Sequence, residues 1–333
     1  MMIISKTPLR ISFVGGGTDL PSFYKNNGFG SVLSTSINSY LYVSIKKQNN
    51  FFEEKYRLNY SETELVKKLS DIKNPIIKEC IKFMNIKDRL YISTIADVPS
   101  HSGLGSSSSF TVGLLKALYQ FKGKAINSNI LAKESGIIEI NKLRQSLGKQ
   151  DHYAATYGGL NIFIFNKNEN VKIKKIKISK KNLKKFNSSI LMFWTGITRP
   201  SETILSNQGK RNENFDNIKH LIEMRSQVPK LKLLLENKVI SLNKIGNLIT
   251  EGWELKKKLS KLITNKKIDK AFEEVLSQGA YGGKLLGAGG GGFLMFIVEP
   301  RQKNKIIKKV ESMGFKNYDF SFDTQGSIVR EVY

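Results

Sequence analysis

The 333 residues carry 54 lysines and arginines against 28 acidic residues, a net charge of +26, with 40% hydrophobic residues. That apolar fraction supports a packed core in one large domain or two ordinary ones, and no apolar run approaches the roughly 18 residues of a membrane-spanning helix. The single cysteine, Cys80, excludes an internal disulfide framework and suits a reducing cytoplasm, and with only three histidines a structural zinc site is not expected.

The N-terminal stretch MMIISKTPLRISF lacks the pattern of a secretory signal. The basic excess is 45 lysines and nine arginines spread along the chain beside abundant Asn and Ile. Such a spread does not mark a dedicated nucleic-acid surface, but its field favours anionic substrates. Residues 1–14 alternate toward an apolar strand ending at Phe13 and Val14, then meet GGGTDLP at 15–21. Residues 31–46, rich in β-branched and aromatic side chains, predict a second strand. A helix broken near Pro75 is expected over 62–86, and a strand over 89–95 leads into PSHSGLGSSSSF at 99–110.

Phe110, Leu114, Leu118 and Phe121 then recur every three or four positions, the apolar face of a helix over 106–121. A second helix is expected over 128–147, with Ser128 as N-cap and Gly148 as stop, and a third over 150–157. Gly158 and Gly159 turn into the strand LNIFIF, and VKIKKIKI at 171–178 reads as an edge strand guarded by lysine. Eight lysines between 172 and 185 precede a fresh apolar strand at 190–194, which places a domain boundary near 187. Helices over 213–264 and 268–281, a strand at 293–298, a helix at 302–312 and a strand at 326–332 complete an α+β pattern.

The serine-rich segment is no linker, because an amphipathic helix follows it. The first turn of a helix leaves N–H groups unpaired at the positive end of the macrodipole. Gly103 and Gly105 permit close backbone approach, and the serine hydroxyls can donate to phosphate, reach Mg²⁺ or cap the helix. A phosphate cradle and a plain N-cap both remain open at this point. No GxxxxGK[ST] loop occurs in the chain.

KLLGAGGGGF at 284–293 satisfies GxGxxG, but a helix is expected before it and a strand after it. That reverses the order a dinucleotide site requires. Its run of four glycines exceeds the need of a turn and points to close approach by another loop or a ligand. Asp151 falls at a helix start, as a capping aspartate or a reactive one. Glu139, twelve residues earlier, would lie about 18 Å away on a straight helix. The two share a site only if the chain reverses, which Gly148 permits.

TPLRISFVGGGTDLP, PSHSGLGSSSS and KLLGAGGGGF, in that order between residues 7 and 293, resemble the three motifs of the GHMP kinases. This is the family of galactokinase, homoserine kinase, mevalonate kinase and phosphomevalonate kinase. The resemblance implies an N-terminal ribosomal-S5-domain-2-like domain over 1–187 and a C-terminal ferredoxin-like domain over 188–333, with the site between them. It implies that Gly103, Leu104, Gly105, Ser106, Ser107, Ser108 and Ser109 hold the ATP phosphates, with Ser106 and Ser107 foremost. Ser107 and Glu139 would face Mg²⁺. Asp151 would take or orient the acceptor hydroxyl proton, with Arg10 beside it favouring the charged form. Gly287, Gly289, Gly290 and Gly291 would pack on the middle loop and steady the nucleotide.

PLRISFVGGGTDLP, QDHYAATYGG at 150–159 and TGITRPSETIL at 195–205 are most similar to the branch that phosphorylates the anomeric hydroxyl of sugars. This implies a cytoplasmic enzyme acting on D-glycero-D-manno-heptose 7-phosphate to give the 1,7-bisphosphate, in nucleotide-activated heptose synthesis for surface polysaccharide. Gly16, Gly17, Thr18 and Asp19 would bind the sugar, and Lys6 and Arg199 its phosphate. A fucokinase- or galactokinase-like sugar 1-kinase is the alternative within the family. A non-catalytic basic RNA-binding protein is the alternative outside it, disfavoured by the joint presence of the motifs.

Overall fold

The computed structural model describes residues 1–199 and 215–333. The end of the 195–205 motif and the start of the helix expected from 213 lie outside the described residues. Two antiparallel-dominated sheets carry the fold. The larger is built on β1 (Met2–Val14) and β2 (Phe29–Lys47), antiparallel neighbours along most of their length. Because β2 has 19 residues, one end pairs β6 (Leu160–Asn166) and the other pairs β5 (Leu90–Ala96). β3 (Tyr56–Asn59) and β4 (Thr63–Val66) extend the β5 side, and β7 (Val171–Lys175) forms the lysine-bearing edge beyond β6.

The smaller sheet runs β11 (Lys316–Asn317), β8 (Ile190–Trp194), β10 (Phe293–Ile297), β9 (Gly282–Leu285). Helices Leu242–Leu259, Lys266–Ser277 and Lys303–Glu311 pack on it through Trp253, Phe272 and Ile306 against Phe296 and Leu294. Helices Pro75–Phe83 and Ser106–Phe121 cover one face of the large sheet, burying Ile77, Cys80, Leu114 and Leu118 with Val43 and Ile45. A third cluster joins the halves: Leu9, Ile11 and Phe13 of β1 meet Met192, Met295, Val228 and Leu231. Fully burying each such side chain is worth about 1.5–3 kcal/mol, and here the burial fixes one sheet against the other.

Four expectations need correction. Residues 56–66 form the β3–β4 hairpin where helix was expected from 62. Glu64, buried, accepts from the Tyr60 hydroxyl and from the N–H groups of Lys73 and Asn74, and β3 pairs with β5, so these partners outweigh local helix propensity. The helix from 128 ends at Gly136, is capped by the Asn127 side chain rather than Ser128, and opens into a π-helical turn, Ile137–Lys142. A helix not foreseen, Lys180–Ser188, is capped by Ser179 and buries Phe186 beneath its lysines.

The last correction concerns the boundary. β12 (Phe322–Asp323) pairs β2, and β13 (Ile328–Val332) pairs residues 2–6 of β1, so the chain end returns to the large sheet. The segment 188–333 is therefore not one closed unit. Ser327 is tied in too: its hydroxyl bonds Thr7, and the Lys116 ammonium donates to its carbonyl.

Removing residues 327–333 should expose the edge of β1 to solvent and to other chains. A fall in unfolding midpoint of at least about 4 °C is expected, equivalent to more than about 1 kcal/mol in a chain of this size. Scanning calorimetry with size-exclusion chromatography checks it; an unchanged midpoint would mean that the second unit holds its own C-terminus.

Candidate active site

β13 stops at Lys6, so the Arg10 backbone N–H is free of the sheet on that side and donates to Leu104 O at 3.1 Å. This bond seats the serine-rich loop on β1. The Arg10 side chain binds the same loop and a third element. Its Nε and one terminal nitrogen donate to the two Asp151 oxygens, each at 2.8 Å, and the other terminal nitrogen donates to Gly103 O at 2.7 Å. The arginine side chain is 6% exposed and the aspartate 21%, so of the two cleft-lining partners the carboxylate is the more open.

Gly105, at φ 78°, is the N-cap of helix Ser106–Phe121, and no side chain caps it. The plain-cap reading of the serines therefore fails. Ser106, Ser107 and Ser108 line the cleft, while Ser109 turns inward to donate to Pro8 O. Leu104 is buried in the core. A Cβ on Gly287 would lie 2.4 Å from the Gly103 Cα, so the late glycine loop is packed hard on the middle one. That loop joins β9 to β10, strand to strand, rather than the expected helix to strand, and the dinucleotide reading stays excluded. Gly287, Gly289 and Gly291 line the cleft, whereas Gly290 lies behind it, donating to Ile263 O.

Glu139 lies in the π-helical turn, fully buried behind Ser107. The Ser107 hydroxyl donates to its Oε1, and His152 Nε2 lies 2.6 Å from its Oε2. Burial alone would push this carboxyl up, but His152 and the Ser107 hydroxyl together hold it below the usual carboxylate value. A hydroxyl on the cleft beside an ionised carboxylate is a donor set that fits Mg²⁺. The reversal that brings Asp151 close occurs through 143–149, where Arg144 takes φ 54°. Gly148 serves a different purpose: a Cβ there would lie 1.8 Å from Asp19 Oδ2.

Asp19 accepts from the N–H groups of Gly17 and Gln150. Burial, and then the Asp151 charge, push its carboxyl up to about 6 against these hydrogen bonds. Gly16, Gly17 and Asp19 line the cleft, as does Arg199. Thr18 does not: it is buried, and its hydroxyl donates to Gly15 O and Ser31 O to hold the turn. Lys6 is also not brought to the cleft, since its ammonium sits 3.7 Å from the centre of the Tyr40 ring.

The structure adds residues that sequence reasoning missed. Ser12, His101, Gln150, Lys256 and Lys284 line the cleft, and His152 orients Glu139. Lys256 was hidden in the run LKKKL, although it continues the buried stripe Ile245, Ile249, Trp253 at helical spacing. The cleft encloses about 1140 Å³, counting its open mouth.

One cleft brings together a glycine- and serine-rich helix N-terminus, the Arg10–Asp151 pair and Ser107 with Glu139 behind it, an arrangement suited to phosphoryl transfer. The family description "GHMP kinases N terminal domain" matches residues 53–159, and "GHMP kinases C terminal" matches 231–316, together more than half of the chain. The chain belongs to the GHMP kinases: it is a phosphotransferase with an alcohol group as acceptor, and its phosphoryl donor is ATP. It is 29% identical to the D-glycero-alpha-D-manno-heptose 7-phosphate kinase of Campylobacter jejuni, over 97% of both chains. It is 26% identical to the bifunctional fucokinase/GDP-fucose pyrophosphorylase of Arabidopsis thaliana, over 91% of this chain and 30% of that one. The crystal structure of a D-glycero-D-manno-heptose 1-phosphate kinase from Bacteroides thetaiotaomicron superposes with a TM-score of 0.80 at 26% identity, covering 99% of each chain.

The raised Asp19 carboxyl yields a signed prediction. An acid raised from 3.8 to about 6 contributes stability that is full below its ordinary pKa and lost as pH rises through about 6. Relative to Asp19→Asn, the native chain should lose on the order of 3 kcal/mol across that window. Urea unfolding of both proteins between pH 4 and 7.5 measures it; parallel curves would refute the raised carboxyl.

Proposed function

We propose that the chain transfers the γ-phosphoryl group of ATP to the anomeric hydroxyl of a sugar, with D-glycero-D-manno-heptose 7-phosphate as acceptor and the 1,7-bisphosphate as product. One observation carries the chemistry: Arg10 grips both oxygens of Asp151 while holding Gly103 of the phosphate loop. The acceptor rests on the motifs at 7–21, 150–159 and 195–205 and on the likeness to heptose phosphate kinases. Those two relatives are named for heptoses phosphorylated at different positions, and the 7-phosphate is taken from the relative named for it, which aligns over 97% of both chains. The product would feed activated-heptose and surface-polysaccharide synthesis in the cytoplasm, in keeping with the lone, buried Cys80.

Asp151 offers its cleft-facing lone pairs to the anomeric hydroxyl, and Arg10 fixes their direction. The hydroxyl oxygen attacks the γ-phosphorus from the side opposite the bridging oxygen. The phosphorus–oxygen bond to ADP breaks, its electron pair leaves with ADP, and the hydroxyl proton passes to Asp151 and on to solvent. The N–H groups of the first turn at Ser106–Ser108 hold the phosphate oxygens. Mg²⁺, held by Ser107 and Glu139, would neutralise charge on the phosphate oxygens. His152 keeps Glu139 turned toward Ser107, and Asp19 with the Gly16–Gly17 backbone accepts and donates to sugar hydroxyls.

Asp151→Asn should lower kcat by about 10²–10⁴-fold with little change in the KM for ATP. Coupled ADP-release assays over a panel of sugars and sugar phosphates test both points. Near-native kcat would remove Asp151 from the reaction, and turnover of free fucose or galactose without heptose 7-phosphate would overturn the acceptor.

A further inference from the structure

Two lysines in the cleft have no part in the chemistry above. Lys256 comes from helix Leu242–Leu259 and Lys284 from β9, and as residues they are 9% and 7% exposed. Lys256 donates to Gly287 O, and Lys284 donates to Phe13 O at 3.0 Å. An ammonium has three donors, so toward the described residues each lysine keeps two unspent. Among the described residues neither makes an ion pair.

Arg10, the third cation nearby, spends its side chain on Asp151 and Gly103. Asp19 faces Lys256 but is itself strained by burial. Burial and then the Arg10 charge push Lys256 down to about 8, against the pull of Asp19; burial, then Lys256 and Arg10, push Lys284 well below the ordinary lysine value. Apart from the Asp19 charge near Lys256, no described carboxylate offsets these buried positive charges, which is costly, and an anion in the cleft lowers that cost.

We propose that Lys256 and Lys284 form a phosphate-binding site on the C-terminal wall of the cleft. Its position follows from the two carbonyls. Gly287 abuts Gly103 of the phosphate loop, and Phe13 precedes the turn that carries Asp19. The site thus lies between the ATP loop and the sugar turn. A phosphoryl group reaches it either as the acceptor's own phosphate or as the group in transfer. Both present the same oxygens to ammonium donors. The inference rests on the sugar-phosphate reading only for the first of these sources.

The test uses Lys256→Met, Lys284→Met and the double variant. Each deletes a buried charge, so folding should survive, with an unliganded melting midpoint at or above native. Inorganic phosphate should raise the midpoint of the native chain and of Ser107→Ala, and the double variant should lose that rise. In steady-state assays, an acceptor-phosphate site predicts a KM for the sugar phosphate raised about 10- to 100-fold at unchanged kcat. A transfer site predicts a comparable fall in kcat with every acceptor. Either pattern, with the lost phosphate response, supports the site and names its source. A native phosphate response together with native kinetics in the double variant overturns it. Failure of the native chain to use any sugar phosphate would sink the acceptor reading alone, because the melting experiment involves no sugar.

Discussion

One guanidinium organises this molecule. Arg10 joins β1, the serine-rich loop and the start of helix Gln150–Tyr157 through three side-chain bonds and one backbone bond. A lysine could not substitute, because only a planar fork meets two carboxylate oxygens in parallel while sending a third nitrogen elsewhere. A buried ion pair adds little net stability once desolvation is counted. Its return here is geometric: Asp151 has one orientation, and the phosphate loop is held at a fixed distance from it. The fold is shaped to allow this. The β1–β2 register shifts between Pro8 and Leu9, and β13 ends at Lys6, so the strand's edge is free where the loop must dock.

Around that pair, three carboxylates are placed in three environments. Asp151 has a guanidinium and an open face to the cleft. Glu139 is buried but receives donors at both oxygens, which outweigh desolvation and keep it ionised. Asp19 is buried with N–H donors, yet it faces the Asp151 charge, and its carboxyl rises toward neutrality. Charge is thus held firmly where a metal would need a ligand. It is held loosely where a neutral sugar hydroxyl would bind and where protonation state could respond to the ligand.

Most strands and several helices were legible because their apolar pattern is undisturbed: 106–121 and 190–194 match their elements end to end, as does 150–157 between its flanking glycines. Misreadings fell where a distant partner decides. Glu64 draws 56–66 into a hairpin, and the π-helical turn at 137–142 ends a helix whose pattern continues to 147. The nearness of Arg10 to Asp151, the serine loop and the packing of the two glycine loops could be read from motif order. Thr18 and Lys6 do not line the cleft, since a polar residue beside a motif can serve the turn itself or an aromatic ring. Nothing local tells these apart. The return of β13 to β1 depends on topology, which a short strand at a chain end does not encode.

The distribution of positive charge makes the same distinction in energy. Lysines at 172, 174 and 175 on β7 are exposed, and such charges are screened beyond about 8–10 Å at physiological salt. They raise the local concentration of anions without choosing among them. Lys256 and Lys284 are buried beside the cleft, where water screens charge less, and each keeps donors that the described residues do not take. Under the proposal above, selection among anions falls to these two from the C-terminal half, while Arg10 is committed to Asp151 and Gly103. The large shared core through Phe13, Met192 and Val228 joins the two sheets, so the placement of the two lysines beside the phosphate loop depends on that packing.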